Sequence, residues 1–196
     1  MKMTIGITGG IASGKSYVCS EIKKLGYPLI DCDQINRDFQ QIGMPIYNEI
    51  VKHFGNEFLN EDKTINKTKL GKLIFSNEEK RLLLNSISHP LIISEMKRQI
   101  EKNDGLIFME IPLLYETGLE YLCDKIICVF VDEKIQINRL MARDGIEYDY
   151  TINKIKSQMP LSLKKDKSDY IIDSSNGFDD TKKQINEIIE KLKEAI

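Results

Sequence analysis

A glycine-rich motif lies near the start of the chain, between two segments of different hydrophobic pattern. Residues 9 to 16 read GGIASGKS and fit G-x-x-x-x-G-K-[ST] in full. The run from Met3 to Thr8 is short, apolar and β-branched, as in a buried strand, whereas Lys15 to Lys24 has apolar residues at helical spacing. A second short apolar run, Tyr27 to Asp31, follows. The order strand, glycine loop, helix, strand predicts a βαβ unit with a parallel strand pair.

The rest of the chain extends this pattern to an α/β fold. Three further apolar runs of strand length are separated by helical segments: Leu106 to Glu110, Lys125 to Val131 and Tyr170 to Asp173. Nearly continuous apolar strands alternating with helices indicate a sheet covered on both faces. With 41% hydrophobic and 30% charged residues, the 196-residue chain has a globular composition. We therefore predict the three-layer P-loop NTPase fold with a mainly parallel five-stranded sheet.

Between the second and third strands, the chain is mostly helical and longer than a crossover requires. Breaks are predicted at Gly43 to Pro45, at Gly55 and at His89-Pro90, with Pro90 in the first turn of a new helix. We interpret residues 33–103 as an inserted substrate-binding subdomain, although an elaborate crossover remains the alternative. The predicted organisation is one domain over 1–196. Its core covers about 1–32, 104–138 and 168–196, the insertion about 33–103 and a lid about 139–167.

The glycine motif has a direct chemical interpretation. Glycines let successive backbone N–H groups point inward, and the N-terminus of the following helix adds the positive end of its dipole. Lys15 can then contact the β- and γ-phosphates of a nucleoside triphosphate, and the Ser16 hydroxyl can bind Mg²⁺. The motif therefore predicts binding of ATP or a related triphosphate, although many reaction classes share it.

Two absences narrow the reaction class. Asn66-Lys67 and Asn153-Lys154 both lack the aspartate of the guanine-reading N-K-x-D motif, and the chain lacks the second lobe of a helicase or motor. A net charge of −2 gives no support for a nucleic-acid partner. A small-molecule kinase is favoured, and a kinase for a nucleoside or nucleoside monophosphate remains the nearest alternative. A nucleotide-sensing module that signals through the helical insertion is the alternative from another class.

Charged residues at two places are candidates for the acceptor and phosphoryl chemistry. Asp31 and Asp33 end the second strand, where ligands of α/β sheets gather, and a carboxylate there can accept or orient a hydroxyl proton. Either aspartate could instead cap the next helix. Arg139 and Arg143 are four residues apart on one helix face and suit a transferring phosphoryl group, although Arg143 stands beside Asp144. Basic residues from Lys154 to Lys167 then suggest a mobile lid over ATP.

The cysteines and histidines do not suggest a metal site. The four cysteines form no C-x-x-C pair, and the two histidines are scattered, so we expect buried thiols in a reducing compartment. No apolar run is long enough to span a bilayer, and the N-terminal residues lack the apolar core of a signal peptide. We therefore expect a cytoplasmic protein with no membrane partner; its oligomeric state is open.

Five motifs together resemble the dephospho-coenzyme A kinase family. They are TGGIASGKS (Thr8 to Ser16), DCD (Asp31 to Asp33), SHPLI (Ser88 to Ile92), IPLLYE (Ile111 to Glu116) and NRLMARD (Asn138 to Asp144). The resemblance covers nearly the whole chain, in order. It implies phosphorylation of the ribose 3′-hydroxyl of dephospho-CoA with Mg²⁺-ATP, the last step of coenzyme A synthesis, on a P-loop core with a helical acceptor-binding region and a lid.

The resemblance also implies a role for each matching residue. Asp33 would accept or orient the proton of the 3′-hydroxyl, with Asp31 beside it, and Arg139 and Arg143 would stabilise the transferring phosphoryl group. The implied ATP-binding residues are Gly9, Gly10, Ile11, Ala12, Ser13, Gly14, Lys15, Ser16 and Tyr17. The implied acceptor-binding residues, besides the two aspartates, are His89, Pro112, Leu113, Leu114 and Glu116.

Three positions depart from the family pattern. Tyr17 stands where a threonine usually follows the loop serine, and Lys154 stands near a common lid arginine. The segment Ile172 to Gly177 is looser than the usual I-D-N-x-G turn that contacts adenine. These departures concern, respectively, a contact near the α-phosphate, the contact of the lid with phosphate, and the contacts with adenine, and the Mg²⁺ ligand is unchanged.

Overall fold

The computed structural model describes residues 2–195, which form a five-stranded sheet with helices. The strands are β1 (Lys2–Gly9), β2 (Leu29–Asp31), β3 (Gly105–Glu110), β4 (Lys125–Phe130) and β5 (Tyr170–Asp173). The helices are α1 (Lys15–Lys24), α2 (Cys32–Phe39), α3 (Pro45–Phe54), α4 (Lys67–Ser76), α5 (Glu78–Glu101), α6 (Glu133–Asp144), α7 (Tyr148–Lys156), α8 (Leu161–Asp166) and α9 (Phe178–Glu194). The chain divides into two compact units, one made of residues up to Ile30 and from Lys102 onward, the other of Asp31–Glu101.

The sheet has the order β2-β3-β1-β4-β5, with β1 at its centre. β1 pairs in parallel with β3 and β4, and β4 pairs in parallel with β5. In this register Ile7 lies beside Glu110, and Gly9 lies beside Val129. The carboxyl ends of these strands, and the loops that follow them, therefore meet at one edge of the sheet. The predicted parallel α/β architecture is confirmed.

The two faces of the sheet are covered by different helices. Ile5 and Ile7 on β1 share one buried cluster with Val18 of α1 and Ile185 of α9. Because strand side chains alternate between faces, Gly6 and Thr8 lie on the opposite face, where α8 packs against β1 and β4. These helix, sheet and helix layers match the predicted three-layer arrangement.

The second unit contains one clear departure from the sequence prediction. The predicted break at His89-Pro90 is wrong, because α5 runs without interruption from Glu78 to Glu101 with Pro90 in its interior. An interior proline removes one helical hydrogen bond and costs about 3 kcal/mol. Ser88, Ile92 and Met96 on both sides of Pro90 are buried, and this packing offsets the loss. The breaks predicted at Pro45 and Gly55 are confirmed, since α3 begins at Pro45 and Gly55 follows its last residue.

Strand boundaries otherwise agree with the prediction to within two residues. β2 begins at Leu29 rather than at Tyr27, because Pro28 precedes it and already offers its carbonyl to the Phe108 amide. Within residues 2–195, no helix combines the length and the apolar composition that a membrane span requires.

Candidate active site

The glycine motif forms the turn between β1 and α1. Gly14 precedes the first residue of α1 in the left-handed conformation, with φ of 89°, and Ala12 also has a positive φ of 56°. The Tyr17 and Val18 amides both donate to the Gly14 carbonyl. The amides of Lys15 and Ser16 come earlier in the helix and have no acceptor within it. They therefore point out of the helix start, where an anionic phosphate is favoured.

Side chains from distant parts of the chain fix this loop. The Ile11 amide donates to Gln158 Oε1 (2.9 Å), and the Ile11 carbonyl accepts from Nε2 of the buried Gln136 (2.8 Å). The Ser13 carbonyl accepts from the Ser174 hydroxyl at 2.7 Å. The amide and the carbonyl of Ile11, at the tip of the loop, are thus both hydrogen-bonded to protein side chains. The loop therefore has its shape before any nucleotide binds.

The cation of the motif is paired with a carboxylate that sequence reasoning missed. Lys15 Nζ lies 2.8 Å from Glu110 Oε1, and both side chains are about 15% exposed. Glu110 is the last residue of β3, next to Ile7 of β1 in the parallel register. The signal in the sequence was an acidic residue at the end of the apolar run LIFME. The pair keeps the Lys15 ammonium at the phosphate loop when no anion neutralises it.

Arg139 is fixed by two hydrogen bonds next to the loop. Its guanidinium donates from Nη1 to the Ser174 hydroxyl and from Nη2 to the Ser174 carbonyl, both at 2.8 Å. Since the same hydroxyl donates to Ser13, Arg139, Ser174 and the phosphate loop form one chain of hydrogen bonds. Ser174 is buried and directly follows β5.

A cavity of about 260 Å³ opens beside this chain of bonds. Its lining includes an aromatic pair, Tyr17 and Phe178, whose ring centroids are 4.5 Å apart. The Tyr17 hydroxyl also donates to the Phe178 carbonyl at 3.3 Å. The remaining lining residues are Gly14, Arg139, Ser174, Gly177 and Thr181. An aromatic wall and a guanidinium next to a phosphate loop suit a planar base.

Arg143, one helical turn beyond Arg139, lies in a different environment. It is about half exposed, and its Nε donates to Asp144 Oδ1 at 2.7 Å. Lys154 Nζ lies 2.8 Å from the other oxygen, Oδ2. Hydrogen bonds from Arg143 and Lys154 lower the pKa of Asp144 well below its usual range. The hydrogen bond to Asp144 in turn raises the pKa of Arg143. The solvated pairing that the sequence allowed for Arg143 is present.

The loop after β3 carries the PLLYE residues and adjoins the phosphate loop. The Pro112 carbonyl accepts from the Thr8 hydroxyl at 3.1 Å. Leu114 is fully buried in the core, whereas Leu113 is 41% exposed. Glu116 accepts from the Met159 amide at 3.0 Å and pairs with Lys164 Nζ at 2.8 Å. Of the predicted acceptor-binding residues in this unit, Leu113 and Glu116 are therefore the exposed ones.

The remaining acceptor candidates belong to the second unit. Asp31 caps α2 by accepting from the Gln34 amide, and it pairs with Arg37 at 3.7 Å. Because Asp31 is the cap, the alternative interpretation of Asp33 as the capping residue is wrong. Asp33 lies in the first turn of α2 and is exposed. His89 is exposed on α5. In this unit Asp33 and His89 thus present accessible side chains, while Asp31 has a structural role.

The residues of the loop fit a magnesium nucleotide. In the described part of the chain, no group of three or more His, Cys, Asp or Glu residues could hold a metal by itself. Mg²⁺ in nucleotide sites needs no such cluster, because it keeps waters and binds substrate phosphates with one or two protein oxygens. Ser16, exposed at the second position of α1, offers its hydroxyl at that place.

A family model, a sequence relative and a solved structure share one family description. A family model described as dephospho-CoA kinase matches residues 3–180. A dephospho-CoA kinase of Halalkalibacterium halodurans is 46% identical, over 97% of each chain. A solved dephospho-CoA kinase from Campylobacter jejuni covers 100% of this chain and 99% of its own, with 27% identity and a TM-score of 0.74. The crystal structure of TT1252 from Thermus thermophilus has a TM-score of 0.85 at 25% identity, over 97% of each chain. The chain belongs to the dephospho-CoA kinase family.

Proposed function

We propose that this protein transfers the γ-phosphoryl group of ATP to the ribose 3′-hydroxyl of dephospho-CoA, giving coenzyme A and ADP. The observation that carries the proposal is the preformed phosphate loop beside the PLLYE loop. Glu110 holds the Lys15 ammonium at this loop, and Gln136, Gln158 and Ser174 fix the loop backbone. Such prior organisation is what phosphoryl transfer requires, because its catalysis is mainly positioning and charge stabilisation.

ATP would bind along the phosphate loop and in the cavity next to it. The loop from Gly9 to Ser16 would surround the β- and γ-phosphates, with Lys15 exchanging Glu110 for phosphate oxygens. The base would enter the 260 Å³ cavity and contact Tyr17, Phe178 and Arg139. An aromatic side chain at position 17 thus has a use here that the usual threonine would not provide.

Ser16 would be the protein ligand of Mg²⁺, with Glu110 as the nearby carboxylate. When bound, Mg²⁺ would neutralise charge on the β- and γ-phosphate oxygens. Once Lys15 has turned to the phosphates, Glu110 would be left as an acceptor for the waters that Mg²⁺ keeps.

The two arginines of α6 would act at different distances from the phosphate loop. Arg139 braces the loop through Ser174 and borders the base cavity, so it would act on bound ATP without a large movement. Arg143 would leave Asp144 to reach the transferring phosphoryl group. That exchange is inexpensive, since an exposed ion pair is worth only about 0–1 kcal/mol.

Asp33 would accept or orient the proton of the attacking 3′-hydroxyl. Its place two residues beyond β2 supports this role, because ligands of open α/β sheets bind past the carboxyl ends of the strands. His89 and the loop from Pro112 to Glu116 would contact the acceptor, and Asp31 would support Asp33 through the cap of α2. The cellular location would be the cytoplasm, where the four free thiols stay reduced.

A matched pair of aspartate variants on α2 tests this assignment. Asp33→Asn should lower kcat with dephospho-CoA by about 100-fold or more while leaving ATP affinity within about threefold, because general-base catalysis contributes about 10²–10⁴-fold. Asp38→Asn is the control on the same helix, since among residues 2–195 the Asp38 carboxylate accepts hydrogen bonds only from the side chains of Gln34 and Gln41. Equal activity of both variants would contradict the role of Asp33.

A further inference from the structure

Lys164 on α8 is a buried cation in an unusual setting. Its side chain has no exposed surface. Sequence reasoning grouped it with the basic residues of the lid, but α8 packs against β1 and β4 rather than standing in solvent. Burying an ammonium costs several kcal/mol unless it is fully paired.

The Lys164 ammonium contacts three oxygen atoms from two different loops. It donates to the carbonyl of Gly9, the first residue of the phosphate loop, at 3.3 Å. It also donates to the carbonyl of Pro112, in the PLLYE loop, at 3.1 Å, and it pairs with Glu116 Oε1 of the same loop at 2.8 Å. An ammonium has three N–H donors, so each donor has an acceptor. One side chain thus joins the loop assigned to ATP to the loop assigned to the acceptor.

A second contact fixes α8 to the same loop. The Ser168 hydroxyl donates to the Lys164 carbonyl at 2.7 Å and lies 2.8 Å from the Tyr115 hydroxyl, which can donate to it. Tyr115 lies between Pro112 and Glu116 in the PLLYE loop. The position of the Lys164 backbone relative to this loop is therefore set independently of the ammonium.

Stability alone does not account for a lysine at this position. Replacing a buried ion pair by packed apolar side chains of similar volume is often neutral or stabilising. An apolar side chain, however, makes no directed contact with the carbonyls of Gly9 and Pro112. What lysine adds is a fixed spacing between two loops that follow adjacent strands, β1 and β3.

We propose that Lys164 is a positioning residue for phosphoryl transfer: it sets the spacing between the phosphate loop and the PLLYE loop, and so aligns the acceptor with the γ-phosphate. The inference rests on the proposed function, in which the first loop binds ATP and the second binds dephospho-CoA. Transfer to the acceptor needs both loops in register. Slow hydrolysis of ATP by water needs only the phosphate loop.

The ratio of these two rates in one preparation tests the proposal. Lys164→Met should lower kcat for transfer to dephospho-CoA by about 100-fold, the cost of a misplacement of about 1 Å, while ATP hydrolysis without acceptor stays within about threefold. Lys164→Arg keeps the charge and several donors, so it should recover part of the transfer rate. Lys191→Met, at an exposed lysine on α9, controls for loss of a lysine from a helix.

Each outcome has a definite meaning. If transfer and hydrolysis fall by the same factor in Lys164→Met, the residue only supports the fold and the proposal is wrong. An unchanged transfer rate overturns it as well. Should the methionine variant not fold, Lys164→Arg decides, because it keeps the charge but places its donors differently from the ammonium: a transfer-to-hydrolysis ratio severalfold below that of wild type supports the proposal, and an unchanged ratio overturns it. Failure of the proposed function would instead appear in the wild-type protein, as no transfer to dephospho-CoA.

Discussion

Lysine and arginine side chains have contrasting environments in two regions of the first unit. At the phosphate loop, Lys164 and Arg139 donate to backbone carbonyls, and Arg139 also donates to the hydroxyl of the buried Ser174. At the corner between α6 and α7, Arg143 and Lys154 share the carboxylate of Asp144 in solvent. Arg139 and Arg143 are only one helical turn apart, so the difference arises from what packs against each residue, not from the helix that carries them.

These contacts distinguish the cations that fix the site from those that are able to move. A guanidinium bonded to Ser174 and, through it, to Ser13 is part of the wall of the loop. A guanidinium in an exposed pair gives up little when it leaves its partner. We infer that the phosphate loop is rigid before nucleotide binding, and that the adaptable charges lie at the α6–α7 corner.

The largest expected effect comes from closing the space at the first loop glycine. A Cβ on Gly9 would lie 2.6 Å from Ser13 Oγ and 2.7 Å from the Val129 carbonyl. Gly9→Ala should therefore distort the loop and lower kcat/KM by more than about 100-fold in the ADP-release assay.

Gly71→Ala is the matched control, because a Cβ there meets nothing within 4 Å. It should leave activity unchanged and raise the free energy of unfolding by up to about 1 kcal/mol, since alanine is the better helix former. Similar losses in both would contradict a tightly packed loop.

A medium effect should separate the two arginines by stability. Arg139→Met removes two hydrogen bonds from a charged donor and leaves the buried Ser174 carbonyl without this donor, so it should lower the free energy of unfolding by about 1–3 kcal/mol. Arg143→Met breaks only an exposed pair and should cost less than about 1 kcal/mol. Urea denaturation of both variants measures the difference. Equal losses would mean that the two regions do not differ as described.

The smallest effect concerns pH at the α6–α7 corner. Because Arg143 and Lys154 lower the pKa of Asp144 below its unfolded value, the carboxylate stabilises the fold above about pH 4, and this contribution is lost as the pH falls through the folded pKa. The melting temperature of wild type minus that of Asp144→Asn should be positive at pH 7 and shrink towards pH 3. It should also shrink at high salt, which screens exposed charges. A difference that grows as the pH falls would contradict this assignment.

The sequence predicted those parts of the site that are local in the chain. The phosphate loop and the parallel strands followed from short-range patterns around Gly9 to Ser16. Glu110 and Lys164 could not be assigned, because they meet the loop across 95 and 155 residues, where only the strand order brings them together. Likewise, the four-residue spacing of Arg139 and Arg143 led to the same predicted role for both residues, although their contacts differ. The error at Pro90 has a related cause, because packing on both sides of a proline overrides a local break signal.

The most direct test of the account is an assay of purified wild-type protein with Mg²⁺-ATP and several acceptors in parallel. ADP release would be followed with dephospho-CoA, AMP, CMP, uridine and adenosine, and the product would be identified by mass. We expect turnover with dephospho-CoA alone and a product with the mass of coenzyme A. Turnover with a nucleoside or monophosphate instead, or no turnover with any acceptor, would contradict the proposed reaction.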